Sequence, residues 1–370
     1  MLVRCVQQTS RMAQAITVAL APSAALPRRK RATKPRRQRS ATMALGDRAG
    51  VWKVEGELGH GGMASVYAVT HTKFGKRAAL KLAHRSVLGP QFTAETFLRE
   101  ARIANLVQHP CVPDVFATGS CDGRPYLVME RLIGETLGDR LSRGPMSKTA
   151  SLDVMLELCD VLAAAHAAGV VHRDLKLDNI FMLESPCADN HRLKLVDWGV
   201  AHVVGEDDPL RGMIAGTLTY VAPEQLRGEL LTPAADVYAL AVLAYQLLFG
   251  CPPFVARDDL ALIRLHLHER PPEPTTLWRE TPPQLAQLLL AMLAKDPAQR
   301  PALGEVVHVL TEMRAKLTAP VPKPRWLDVP AHPPVDAFGR PALRLTAKGK
   351  RLIGASLGLM VALSTLAGWM

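Results

Sequence analysis

His172-Arg173-Asp174-Leu175-Lys176-Leu177-Asp178-Asn179 is a polar octet between two ordered stretches. Upstream of it, Leu152, Met155, Leu156, Cys159, Leu162 and His166 recur mostly at helical spacing and stop at Gly169, which predicts one long amphipathic helix. Downstream come short segments at 179–183 and 193–196, then helical patterns at 234–249, 257–268, 283–294 and 303–316.

The chain before the octet has a different texture. Val54–Leu58 and Ala64–Thr70 read as strands on either side of His60-Gly61-Gly62-Met63, and Arg77–Leu82 as a third. Residues 91–107 carry Phe92, Phe97, Leu98, Ile103 and Leu106 as a helix that stops before His109-Pro110, and strands are expected at 112–118 and 125–130. A sheet followed by helices predicts an α+β chain of two lobes, 51–131 and 132–316, with a cleft between them.

Composition sets these lobes apart from their flanks. The chain has 370 residues and a formal charge of +11. Residues 1–50 hold eleven Lys/Arg against Asp47 alone, so the basic balance belongs to a tail and gives no reason to expect a nucleic-acid groove in the folded part. Eight of those bases lie between Arg28 and Arg39, too charged and too poor in apolar residues to form a core. The tail reads either as a solvated arm or as a contact for anionic lipid or nucleic acid, unless translation starts at Met43. The six cysteines have neither metal-ligand spacing nor the density of a disulfide scaffold, which fits a reducing compartment.

From 54 to 312 the motifs resemble the eukaryotic-like (Hanks-type) bacterial serine/threonine protein kinases, in particular their membrane-anchored branch. Leu58-Gly59-His60-Gly61-Gly62-Met63-Ala64-Ser65-Val66-Tyr67 is similar to the family's glycine-rich loop. Gly59 and Gly61 would let the backbone approach a triphosphate, and Leu58, Val66 and Ala79 would line the nucleotide site. Lys81 resembles the strand lysine that pairs with phosphates, and Glu100 the helix glutamate that orients it. In the octet, the resemblance makes Asp174 the acceptor of the substrate hydroxyl proton, Lys176 the cation beside the moving phosphoryl group, and Asn179 a metal ligand. Lys176 also favours serine/threonine over tyrosine specificity. Met129 matches the position controlling the back of the nucleotide pocket, and residues 130–132, including Glu130 and Leu132, match the hinge that meets adenine.

Asp197-Trp198-Gly199 stands where the family has Asp-Phe-Gly, and the Asp197 carboxylate is the hard oxygen ligand that Mg²⁺, or Mn²⁺ in its place, requires. Trp198 departs from the pattern, as does Ala64 in place of a third glycine. The large indole against the small Ala104 keeps the volume balanced. These two departures are the only features that favour a catalytically silent scaffold over an enzyme. Thr217, in Gly216-Thr217-Leu218-Thr219-Tyr220, would approach Asp174 and Lys176. His172, Arg173, Trp198, Glu224, Asp236 and Arg300 match framework positions, with Glu224 and Arg300 as partners and Asp236 steadying the catalytic loop.

Arg173 implies, in this family, a phosphorylated residue in the activation segment. No Ser, Thr or Tyr lies between Trp198 and Gly216, and Glu206, Asp207 and Asp208 are expected to supply part of that charge. The end of the chain carries an attachment expectation. Residues 317–350 are proline-rich and then basic, which predicts an extended juxtamembrane linker. The uncharged stretch Leu352–Met370, within a predicted span 351–370, is about 28 Å long as a helix, enough for a single-pass anchor with the kinase side cytoplasmic. Gly354 and Gly358 present small residues four apart, which allows a homodimer through this span. Protein substrates and ATP complete the expected partners.

Overall fold

The computed structural model describes residues 42–89, 93–206 and 217–318. Most of the basic tail, Asp207 and Asp208, the proline-rich linker and the apolar stretch 352–370 lie outside the described residues. Among the described residues no helix is long and apolar enough to cross a membrane.

The small lobe is one antiparallel sheet in the order β1-β2-β3-β4-β6-β5. Its strands are β1 (Arg48–Ala49), β2 (Trp52–His60), β3 (Ala64–His71), β4 (Arg77–Ala83), β5 (Val115–Cys121) and β6 (Arg124–Met129). The folded region therefore begins upstream of residue 51. Ala49 is fully buried, pairs with Trp52, and belongs to one apolar cluster with Tyr67, Leu80 and Val128. Sequence reading misses β1 because two residues carry no periodicity. Between β2 and β3 the register slips twice, at Val54/Gly56 and Glu57/Gly59, which twists the hairpin as bulges do.

Helix α1 (Ala94–Val107) lies beside this sheet. Thr93 caps it by accepting the Thr96 N–H (3.2 Å), and its buried positions Phe97, Ala101 and Ala104 follow helical spacing. The helix therefore starts three residues later than expected. The large lobe follows, with α2 (Leu137–Ser142), α3 (Lys148–Ala167), α4 (Pro223–Arg227), α5 (Ala234–Phe249), α6 (Asp259–His268), α7 (Pro274–Leu277), α8 (Pro283–Met292) and α9 (Leu303–Thr318). Ser147 caps α3 through the Ala150 N–H (3.1 Å), one turn before the first apolar residue that marks the helix in the sequence. Helix α5 is buried along nearly its whole length, as a helix with apolar residues on all sides must be. The short strands β7 (Gly134–Thr136), β9 (Ile180–Leu183) and β10 (Leu193–Leu195) form a second sheet, and β8 (Val170–Val171) pairs with β11 (His202–Val203). Together they fix the two ends of the polar octet.

One buried histidine links the large lobe to pH. His266 in α6 shares a hydrogen bond with the Tyr238 hydroxyl (2.8 Å) and packs edge-on against Phe254. Burial, reinforced by the Lys295 charge, pushes its imidazole down to about 4. Because the folded state resists this proton, stability is full above the ordinary histidine range and falls as pH drops from about 6.5 to about 4, by about 3 kcal/mol at most. Urea unfolding of wild type and His266→Phe across that window is expected to show a steeper acid loss in wild type.

Candidate active site

The lobes meet through Lys81. Its position on β4 opposite Val66 of β3 and Leu127 of β6 aims the ammonium below the sheet. There Lys81 Nζ lies 2.6 Å from Glu100 Oε2 on α1 and 2.8 Å from Asp197 Oδ1 in the large lobe. Burial alone would lower the Lys81 pKa, but Asp197 and Glu100 outweigh it and keep the ammonium charged. Of the two carboxylates, Asp197 holds its charge more firmly. The Lys81 charge overcomes burial there and brings Asp197 down to about 2, whereas burial pushes Glu100 up against the pull of Lys81. Asp197 takes a left-handed backbone (φ 65°), uncommon outside glycine and typical of constrained functional positions.

The octet forms the other wall. Asp174 is buried, and its Oδ2 accepts from Lys176 Nζ (2.5 Å) and Asn179 Nδ2 (3.0 Å). Asn179 Nδ2 also donates to the Asp174 carbonyl (2.8 Å), which ties the loop into a closed turn. Asp236 on α5 holds this loop from beneath. Its Oδ2 accepts the His172 N–H (2.9 Å), its Oδ1 accepts the Arg173 N–H (3.0 Å), and His166 Nε2 lies 2.8 Å away. Arg173 is the second left-handed residue of the site (φ 69°), and those two hydrogen bonds secure it.

Trp198 is almost fully buried. Its indole meets His172 edge-on at 4.6 Å between ring centres, and Nε1 donates to the Leu195 carbonyl (2.9 Å). A phenylalanine has no such donor. The indole N–H is therefore satisfied at the cost of no buried orphan, and Trp198 sits in the same apolar core as Ala104.

Of the nucleotide-lining candidates, Ala79 pairs with Met129 across β4 and β6, while Leu58 is half exposed on β2. A Cβ added at Gly59 meets nothing within 4 Å, so the protein's own packing does not demand glycine there. Glu130 has its N–H taken by the Asp114 carbonyl (2.9 Å) and its carboxylate by the buried Lys194 (2.6 Å). Leu132 is half-buried beyond it. In the sequence Lys194 reads only as one base in the run Leu193-Lys194-Leu195, with nothing to mark its partner. Thr217 opens the turn Leu218–Tyr220 and accepts the Tyr220 N–H (3.1 Å), so its described contact lies within its own turn. Glu224 and Arg300 form a fully buried bidentate pair, 2.6 and 2.8 Å.

Glu206, within the activation segment Asp197–Glu224, engages α1. Arg102 grips both of its carboxylate oxygens, Nη1 to Oε2 at 3.2 Å, and Arg99 Nη2 lies 3.7 Å away. Arg99 and Arg102 flank Glu100 in sequence, so this acid steadies the helix that carries the Lys81 partner.

Asn179 and Asp197 offer oxygen ligands of the kind Mg²⁺ takes, and Asp197 is ionised at any physiological pH. Among the described residues, His109, Cys111 and His191 also bring potential ligand atoms within 4.8 Å of one another. Their hydrogen bonding opposes that role. His109 Nδ1 accepts the Cys111 N–H (3.1 Å), which leaves the ring proton on Nε2 facing Asp160 (3.3 Å), and burial raises the Cys111 thiol to about 12.

The protein kinase domain model matches residues 52–310, spanning every element of this site. The chain belongs to the protein kinase family. It is 35% identical to the serine/threonine-protein kinase Pkn1 of Myxococcus xanthus over 297 residues, 79% of this chain and 43% of that one. It is also 35% identical to the serine/threonine-protein kinase pkn3 of the same organism (69% of this chain, 48% of the relative). The serine/threonine-protein kinase PknB of Mycolicibacterium smegmatis is 31% identical (70% of this chain, 41% of the relative). The chain thus spans less than half the length of these curated relatives. The bilobal α+β kinase fold expected from the motifs is the fold observed.

Proposed function

We propose that this kinase domain transfers the γ-phosphoryl group of ATP to serine or threonine hydroxyls of proteins, itself included. One observation carries the reading: Lys81 bridges Glu100 and Asp197, which draws together from both lobes the groups assigned here to phosphate and metal. Phosphoryl transfer asks mainly for positioning and charge neutralisation. Asp174 has its Oδ2 fixed by Lys176 and Asn179, which leaves Oδ1 to take the hydroxyl proton. Lys176 places a cation beside that carboxylate, and Lys81 places one at the phosphates. Asn179 and Asp197 would hold Mg²⁺, or Mn²⁺ in its place, which neutralises phosphate charge when bound. With its amide and carboxylate engaged, Glu130 meets adenine through its carbonyl.

The test is radiolabel transfer from ATP to a generic protein substrate by the purified full chain, followed by phosphoamino-acid analysis. Labelled serine and threonine are expected. Nucleotide binding without transfer would make the chain a scaffold, and labelled tyrosine would overturn the specificity.

Basal activity follows from the Glu206 contacts. A carboxylate carries about one charge against −1.5 to −2 for a phosphoryl group, so its ordering effect is partial. Glu206→Gln is expected to lower the initial rate about 2- to 5-fold, as fits a partly exposed ion pair. The triple variant Glu206→Gln, Asp207→Asn, Asp208→Asn should fall at least as far. Unchanged initial rates in unphosphorylated protein would defeat the idea.

Attachment to the cell membrane by a single span is proposed from the uncharged stretch Leu352–Met370 and the bases Lys348, Lys350 and Arg351 before it. The same span pairs two copies through Gly354 and Gly358. Recovery of the full chain in the soluble fraction, unchanged by deleting 352–370, would defeat the anchor; equal in-membrane association of Gly354→Ile, Gly358→Ile and native spans would defeat the pairing. The basic tail adds a contact to anionic lipid or nucleic acid.

A further inference from the structure

The hairpin over the nucleotide site is fastened from its outer face. Ser65 on β3 is buried, and its Oγ lies 2.9 Å from His60 Nδ1 and 2.9 Å from His84 Nε2. The two imidazoles stack at 4.7 Å with planes 30° apart. His84 immediately follows β4, and its backbone N–H donates to the Met63 carbonyl at the tip of the hairpin (2.9 Å). Within the tip, Gly61 N–H donates to the Ala64 carbonyl (2.9 Å). Ser65 is paired with His60 and Leu82 across the sheet, whereas Val66 is paired with Lys81. Successive strand residues face opposite sides, so the Ser65 cluster lies on the side away from Lys81 and the nucleotide.

We infer that His84, with Ser65 and His60, is a pH-sensitive positioning clasp that holds the glycine-rich loop in its nucleotide-covering shape. The inference rests on the kinase reading only for the identity of the nucleotide as ATP. A serine hydroxyl has one proton and accepts at its oxygen, so it joins two neutral rings by donating to one and accepting from the other. One protonated ring is also accommodated, because it donates to Oγ while the hydroxyl donates to the bare nitrogen of the other ring; Glu57 Oε1 also lies 3.4 Å from His60 Nδ1. A second proton puts two cations in one stack. The groups facing His84 oppose it: burial acts first, and the charges of His60 and Arg124 add to it against Glu57 and a hydrogen bond to the Gly62 backbone, so the His84 imidazole titrates below its ordinary range. Acidification therefore parts the rings and loosens the tip that Met63 and His84 join.

The experiment measures kcat and KM for ATP, and displacement of a fluorescent nucleotide, on the full chain from about pH 8 to about pH 5.5, for wild type, His84→Gln and Ser65→Ala. Glutamine keeps an N–H donor for Ser65 but does not titrate, so it is the conservative rescue. Relative to His84→Gln at the same pH, wild-type KM is expected to rise about 3- to 10-fold on acidification, with kcat changing less than about 2-fold. Comparison at equal pH cancels the titration of ATP itself. Ser65→Ala should raise KM already at about pH 8 and flatten its pH dependence. Parallel KM profiles for wild type and His84→Gln overturn the clasp, as does an effect confined to kcat. If wild type transfers no phosphoryl group, the kinase reading fails while the displacement profiles still decide the clasp.

Discussion

Asp174→Asn is expected to lower phosphoryl transfer by about 10²- to 10⁴-fold with nucleotide affinity nearly intact, the range that loss of a positioned base produces. Asparagine preserves the shape of the buried side chain and keeps an oxygen for Lys176 and Asn179, so the turn they close survives. What disappears is the carboxylate's basicity and half of the charge balance with Lys176. Initial-rate kinetics on the full chain, beside nucleotide titration and thermal unfolding, separate the chemical loss from misfolding. A rate within about 10-fold of wild type would remove Asp174 from the chemistry.

Replacement of Arg300 by Met is expected to cost about 3–5 kcal/mol of stability, enough to deplete folded protein, although Arg300 belongs to no catalytic step. Its guanidinium binds both Glu224 oxygens and also donates to the Ala234 carbonyl (2.8 Å) and, through Nε, to the Ala294 carbonyl (2.9 Å). Methionine leaves the Glu224 carboxylate buried without its cation and takes the guanidinium donor from the Ala234 and Ala294 carbonyls. Arg300→Lys restores charge but not the planar fork, and an intermediate loss is expected. Urea unfolding midpoints of Arg300→Met, Arg300→Lys and Glu224→Gln check the order. A double change of Glu224 and Arg300 to methionine should recover part of the loss, because no lone charge then remains in the core. If Arg300→Met unfolds at the wild-type midpoint, the pair is not a fastening.

Elements marked by local periodicity are legible in this sequence, and contacts between distant residues are not. Helix α5 could be read from 234 to 249 because its apolar residues are broken only by Asp236 and Gln246 and Gly250 stops it in a left-handed turn (φ 81°). β5 was expected three residues early because it alternates half-buried and exposed positions, and the apolar Val112 before it lies in a turn. Lys81, Glu100 and Asp197 could be named from motif order, and the coordinates bring them within one set of hydrogen bonds. Lys194, Arg102 and the Ser65 clasp could not, because each works through a partner far along the chain. Arg102 and Glu206 are 104 residues apart, and no local pattern joins them.

Asp236 also sets the mechanical hierarchy of the site. Its carboxylate takes the backbone amides of His172 and Arg173, and it stands on a helix that is buried almost throughout. In the language of hydrogen exchange, these two amides belong to the most slowly opening unit of the protein, since freeing them means dislodging that helix. The His84 amide is held only by the Met63 carbonyl at the hairpin tip, so it is expected to exchange sooner. The acceptor end of the reaction is thus expected to share the lifetime of the large lobe, and the hairpin over the nucleotide to open at smaller cost than the catalytic loop.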